Sequence, residues 1–293
     1  MKLSRGERWF TGVNYALLGL AALATLYPFV YVFSASISDP LQVVSGNVLL
    51  LPKQLTFAAY EKVLSEQGIW IAYANTLYYT VTGTLASLLL TICGAYPLSK
   101  KRLAGGSIIS FVIAFTMWVN MSGPAGMIPF YLNMRELGLL NTREGIVIGF
   151  AITTFYVFLM RTFFANVPEA LEEAAKVDGA SDLAILWRIY LPLSVPAMAT
   201  LGLFYAVSRW NGYFWSMVLL TDADKVPLQV LLKKMVVEMN VNEMMDTVDQ
   251  AANYAQETII YATIVVSILP MVAVYPYIQK FFVKGIIVGS IKE

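Results

Sequence analysis

The stretch EEAAKVDGASDLAILWRIYLPLS, residues 172–194, decides how this chain is read. It is among the most polar runs in the sequence, yet it lies between two segments apolar enough to cross a bilayer. Residues 169–177 are strong helix formers. Asn166 stands three residues before Glu169, the spacing of a capping box, with Pro168 tolerated in the first turn. Asp178-Gly179 then ends the helix, since glycine accepts the left-handed conformation that closes one. Ser181 is placed to cap a second helix, DLAILWRIY, which Pro192 is expected to terminate. Leu183, Trp187 and Tyr190 share one face of it, with Asp182 and Arg188 off that face. The prediction is a helix, a glycine turn and a helix on one surface of a membrane domain. Ala174 and Ala175 would let another surface approach closely, and Glu172 and Glu173 would supply charge at the edge. An amphipathic helix resting on lipid is the competing reading. It fits poorly, because anionic lipid favours Lys and Arg over this acid-rich helix.

The composition of the whole chain places what flanks this stretch largely in lipid. Of 293 residues, 58% are hydrophobic and 13% charged, against about a quarter charged in soluble domains. Mean hydropathy is +0.65. A net charge of +1 gives no field for nucleic acid. The single cysteine, Cys93, sits in an apolar run as a packing residue. The absence of histidine excludes histidine-based metal sites and histidine general bases, and no metal site is expected.

A span needs roughly 20 mostly apolar residues, and its backbone must be helical to satisfy its own polar groups. Six such runs occur, at 14–34, 72–98, 107–132, 145–164, 193–220 and 258–282, forming one transmembrane domain over 1–293. The first reads as a retained helix, without a small-residue cleavage site. An even number places both termini on one side. Twelve Lys and Arg fall on the side of the termini, including the dense turn Lys100, Lys101, Arg102; seven fall on the other and Arg209 lies within span five. The richer side, with the 166–192 loop, is expected to be cytoplasmic. The external segments are then 35–71, 133–144 and 221–257. The last holds VPLQVLLKKMVVEMNVNEMMD, whose methionines suit either packing or an adaptable partner surface.

At this point the residues carry a resemblance. Glu173-Ala174-Ala175, Gly179, Ile189, Leu191 and Pro192 match E-A-A-x3-G-x9-I-x-L-P, the EAA signature of ABC importer permeases. GMIPFYLNMRELGLLNT (126–142), Asn75-Thr76-Leu77 and RWNGYFW (209–215) resemble segments of the carbohydrate permeases of the maltose type. The ending KGIIVGSIK is similar to the tail of a branch importing complex and acidic oligosaccharides, such as alginate- or pectin-derived uronides. The resemblance implies an all-α type I importer permease of the bacterial cytoplasmic membrane. Its partners would be a second, homologous permease, two ATPase subunits, an extracytoplasmic solute-binding protein and membrane lipid. ATP and Mg would be held on the ATPase subunits. This agrees with the residues, since the chain has no G-x-x-x-x-G-K-[ST] phosphate loop; Gly105-Gly106-Ser107 is a glycine pair in a turn. The helix carrying Glu173–Gly179 would be the coupling helix, with Glu172, Glu173, Ala174, Ala175, Asp178, Gly179, Ile189, Leu191 and Pro192 forming the docking module.

The substrate path is expected near the bilayer midplane, with span five lining it. Trp210, Tyr213 and Trp215 offer flat faces for sugar rings and Asn211 offers a donor and an acceptor; Asn75 is placed on the path with them. Packing against neighbouring helices, or an interfacial belt, is the competing role for these aromatics. Arg209 is a charge within a span and so a functional residue by default. Facing a carboxylated sugar, pairing with an acid on the partner permease and snorkelling outward all remain open for it. Of the span prolines, Pro124 in SGPAGMIP marks an expected break. Rival functions are an ABC permease for a non-sugar solute, a stand-alone secondary transporter, for which no internal repeat is visible, and a membrane-embedded enzyme, for which the spans hold no carboxylate, histidine or cysteine cluster.

Overall fold

The structure, a computed structural model, describes residues 4–119, 126–245, 256–274 and 276. The described residues are helical with no strand. In chain order the helices are α1 (Arg5–Ser36), α2 (Pro40–Val44), α3 (Ala58–Ser65) and α4 (Gln67–Leu98). They continue as α5 (Gly106–Val119), α6 (Met127–Glu136), α7 (Arg143–Ile148), α8 (Thr154–Ala165) and α9 (Glu169–Val177). Next come α10 (Asp182–Leu193), α11 (Val195–Asn211), α12 (Phe214–Leu219), α13 (Leu228–Met245) and α14 (Gln256–Val274).

The chain forms two compact units. In the first, which comprises the described residues between 4 and 70 and between 231 and 269, α1 opens with a complete capping box between Ser4 and Glu7. Along its length Leu17, Leu20, Leu23 and Phe29 are exposed, a surface suited to hydrocarbon. At its end Ala35 packs with Val43 and Val48, and Ser34 donates to the Leu50 carbonyl at 2.7 Å. Tyr31 meets Tyr261 edge-on at 5.8 Å.

The second unit, which comprises the described residues between 71 and 230 and between 270 and 276, holds both regions of functional interest. Its core joins α4, α8, α10 and α11 through Ala95, Met160, Phe164, Ile185, Tyr190 and Leu201, with Tyr96, Phe164 and Tyr190 mutually edge-on.

Only three described helices are both long and apolar enough to cross a membrane: α1, α4 and α14. The run 145–164 is two helices separated at 149–153. The run 193–220 breaks at Gly212-Tyr213, between α11 and α12. Residues 120–125, with the break expected at Pro124, lie outside the described residues, as do the chain beyond 276 with its KGIIVGSIK ending and the side chains beyond Val237 in the Met-rich run.

Two local expectations are corrected. Asn166 does not cap α9: it is the C-cap of α8, its N–H turned back to Phe163 and Phe164, and Pro168 takes the N-cap position with no side-chain bond. Nor does Pro192 end its helix. The helix widens into a π turn over Leu186–Tyr190, runs through Pro192, and breaks only at Ser194, where α10 and α11 meet at 82°. Pro192 and Pro196 each lack an N–H, which leaves a gap in the ladder on either side of Ser194, whose own N–H still reaches the Tyr190 carbonyl at 3.0 Å.

Candidate functional site

The elbow formed by α9 and α10 is positioned as its residues dictate. Gly179 sits at φ +78°, the left-handed conformation that a side chain would strain. Ser181 accepts the Ala184 N–H as the cap of α10. Glu173, Ala174, Asp178 and Gly179 are exposed, and Val177 is 88% exposed. Ala175 is half-buried and, with Ile189 and Leu191, packs on the core; Pro192 is exposed.

Glu172 is the correction here. Expected at the docking edge, it is buried at 7% exposure. Its carboxylate accepts from Lys100 Nζ and Lys176 Nζ, both at 2.5 Å, and from the Tyr190 hydroxyl at 2.7 Å. Arg102 lies 3.7 Å away and also bonds Asp182. Lys100 sits 3.6 Å above the Tyr190 ring and 4.3 Å above that of Tyr96. Burial alone would raise the Glu172 carboxyl, but the hydrogen bonds from Lys100, Lys176 and Tyr190 outweigh it and hold the group at about 2. Burial and the same carboxylate push the Tyr190 hydroxyl upward.

The second region is a cavity of about 690 Å³ lined by residues of α4, α5, α6, α11 and α12 and of the break at 149–153. Arg209 is on its wall. The guanidinium donates to the carbonyls of Ile146 (2.5 Å), Phe150 (2.6 Å) and Val147 (3.1 Å) and to Ser87 Oγ (3.2 Å). In an unbroken helix these three carbonyls would accept from residues 150, 151 and 154. Arg209 thus replaces backbone donors lost where the chain breaks between α7 and α8. Tyr205 completes the repair, its hydroxyl accepting the Thr153 N–H at 3.3 Å and pairing with Thr91 at 2.8 Å. Gly83 makes the room: a Cβ there would lie 3.0 Å from Arg209 Nε.

The expected path residues separate into two groups. Asn211, Tyr213 and Trp215 line the cavity with Arg209. Tyr213 is 42% exposed, Asn211 turns its amide onto the Val207 carbonyl, and Trp215 is wedged against Phe130, Phe150 and Phe214. Trp210 and Asn75 are corrections. Trp210 is buried, edge-on to Tyr73 at 6.0 Å. Asn75 is buried where it donates to the Asp224 and Val226 carbonyls and accepts from Arg143, so it ties span two to the segment entering α13. Sequence reasoning passed over Gly83, Ser87, Lys100, Tyr190 and Tyr205 as site residues. Of these only Lys100 carried a signal, as part of the basic turn counted for orientation. Among the described residues no group of acidic or cysteine side chains could hold a metal.

The chain is similar to known proteins over nearly its whole length. Polygalacturonan/rhamnogalacturonan transport system permease protein YtcP of Bacillus subtilis (strain 168) is 38% identical over 287 residues, 98% of this chain and 99% of that protein. Protein LplC of the same organism is 35% identical over 292 residues, 100% and 98% of the two chains. A crystal structure of a bacterial ABC transporter involved in the import of the acidic polysaccharide alginate contains a chain 51% identical to this one, superposing with a TM-score of 0.87 over 96% of this chain and 99% of its own. The EAA spacing, the all-helical permease architecture and a family match over residues 1–288 together make this chain a member of the binding-protein-dependent transport system inner membrane components.

Proposed function

We propose that this chain is one of two homologous permeases that form the path for an acidic, uronate-type oligosaccharide handed over by a solute-binding protein. Two ATPase subunits, carrying ATP and Mg, drive it from the cytoplasmic side, where both termini and the α9–α10 elbow lie. The observation that carries the reading is the 51% identity, over nearly the whole of both chains, to a chain of a transporter importing alginate. The cavity supports it. Among the described residues Arg209 is the one Lys, Arg, Asp or Glu side chain in its lining, so the fixed charge they supply is positive. Tyr213 at the rim offers a ring face and a hydroxyl to a sugar.

In this mechanism ATP binding draws the ATPase subunits together and moves the exposed face of α9, Glu173, Ala174 and Val177. The helices of the permease pair then rock between inward- and outward-open arrangements, provided ATP binds the two with different affinity. Arg209 acts by holding the break at 149–153 in shape, so that the cavity wall keeps its form. The test is uptake by the complete transporter in proteoliposomes. Oligogalacturonate or oligomannuronate should be accumulated in an ATP-dependent manner and neutral maltotriose should not. Equal uptake of maltotriose would overturn the acidic-sugar reading.

A further inference from the structure

Glu172 is unexplained by docking, since a carboxylate with a tenth of its side-chain surface exposed presents no charge to a partner. Burying an ion pair is weak as a source of stability, and such pairs are best attested as devices that fix one arrangement among several. The arrangement fixed here is definite. Three residues or one turn apart on α9, Glu172, Ala175 and Lys176 share a face, which is the face against the rest of the unit. Glu173, Ala174 and Val177 are thereby turned outward.

Besides the contacts of Lys100 and Arg102 with Glu172, α9 is tied to the turn at 99–105 by Lys101 to Glu169 at 2.7 Å, with side chains 87% and 66% exposed. An exposed pair of that kind holds little. Glu172 is different. Lys100 leads from it directly into the ring of Tyr96, near the end of α4, and Arg161 clamps the last carbonyl of that helix, Leu98, at 2.9 Å. Tyr96 also donates to the Asp182 carbonyl at the start of α10. The buried carboxylate therefore joins α9, α10 and the end of α4 at one point.

We propose that Glu172 is a positioning residue of transport: it pins α9 to the Lys100 turn, so that movement given to α9 reaches the end of α4. What moves α9 rests on the docking reading above; the pin is made within this chain.

The experiment is hydrogen exchange on the complete transporter in nanodiscs, without nucleotide and after trapping with ATP, Mg and vanadate. In the wild type, trapping changes exchange over residues 169–178 and 93–105 together. Glu172→Gln should speed basal exchange over 169–178 about tenfold, the loss of one hydrogen bond to a charged group. It should keep the ATP response at 169–178 and lose it at 93–105. Lys100→Met should reproduce this, and the double variant should be no worse than either single one. Lys100→Arg should restore the response. Should Glu172→Gln fail to fold, Lys176→Met removes the more exposed donor alone and carries the same expectation in weaker form. An undiminished response at 93–105 in a variant with faster α9 exchange would reduce Glu172 to a structural residue and overturn the proposal. If ATP leaves 169–178 unchanged in the wild type, the docking reading is what fails, and basal exchange still reads the pin.

Discussion

Arg209 shows how a charge inside a span can be used without a counter-charge. Its guanidinium serves three carbonyls and one hydroxyl, and those carbonyls have lost their helical donors at the break between α7 and α8. Arg209→Met should therefore lower the thermal stability of the purified chain by about 3 kcal/mol or more, since each buried acceptor left bare costs about 1–3 kcal/mol. Lysine keeps the charge but not the planar fork, so Arg209→Lys should remain clearly destabilised, whereas a pure charge requirement would leave it near wild type. Gly83→Ala supplies a cross-check, because its Cβ would press on Arg209 Nε. We expect a cost of about 1–2 kcal/mol, the usual range for overpacking, and most of it should vanish in the Arg209→Met background. Additive losses would show that Gly83 matters for another reason. A second contrast lies close by. Trp210→Ala removes a buried ring and should cost about 3–5 kcal/mol. Tyr213→Ala, at the cavity rim, should stay within about 0.5 kcal/mol of wild type while reducing uptake.

At the scale of the element, α9 is held by a carboxylate whose pKa is lower folded than unfolded, about 2 against an ordinary 4.5. A depressed carboxylate contributes stability that is fully present above the unfolded pKa and lost as pH falls through the folded one. Melting temperature should thus be flat on this account above pH 5 and fall between pH 4.5 and 2, with about 2 kcal/mol gone by pH 3. Glu172→Gln should be less stable at neutral pH and show a shallower acid limb; an identical limb in both proteins would mean that other carboxylates govern it. The helix-turn-helix around this carboxylate was legible in the sequence because its determinants are local: the formers of α9, the positive-φ glycine, the serine cap. The burial of Glu172 was not, because its partners stand 72 residues before it and 18 after. The role of Arg209 was hidden for a related reason. It bonds main-chain carbonyls, which no side-chain pattern advertises, and only a break at 149–153 makes them available. The same break, and that at Gly212, turned two hydropathy runs into shorter helices, since hydropathy measures apolar length and is blind to a backbone repaired from the side.

For the molecule as a whole, the fold and the proposed function meet on α9, which that proposal requires both to belong to this chain and to answer to another. Two neighbouring alanines separate those duties. Ala174 is exposed, while Ala175 packs against the core of α4, α8 and α10. Ala174 is exposed, so Ala174→Glu should melt within about 0.5 kcal/mol of wild type, as surface changes do. In the assembled transporter it would bring bulk and charge against a closely apposed surface. It should therefore reduce the ATPase subunits recovered with the permease and abolish ATP-driven uptake. Ala175→Glu should instead bury an uncompensated charge and lower the stability of the chain by itself, before any partner is added. Co-purification and melting, measured on both variants, resolve the matter. If Ala174→Glu retains its ATPase subunits and full uptake, the outward face of α9 is not where the motor grips. If Ala175→Glu melts like the wild type, the inward face assigned to Glu172 and Ala175 is wrong as well.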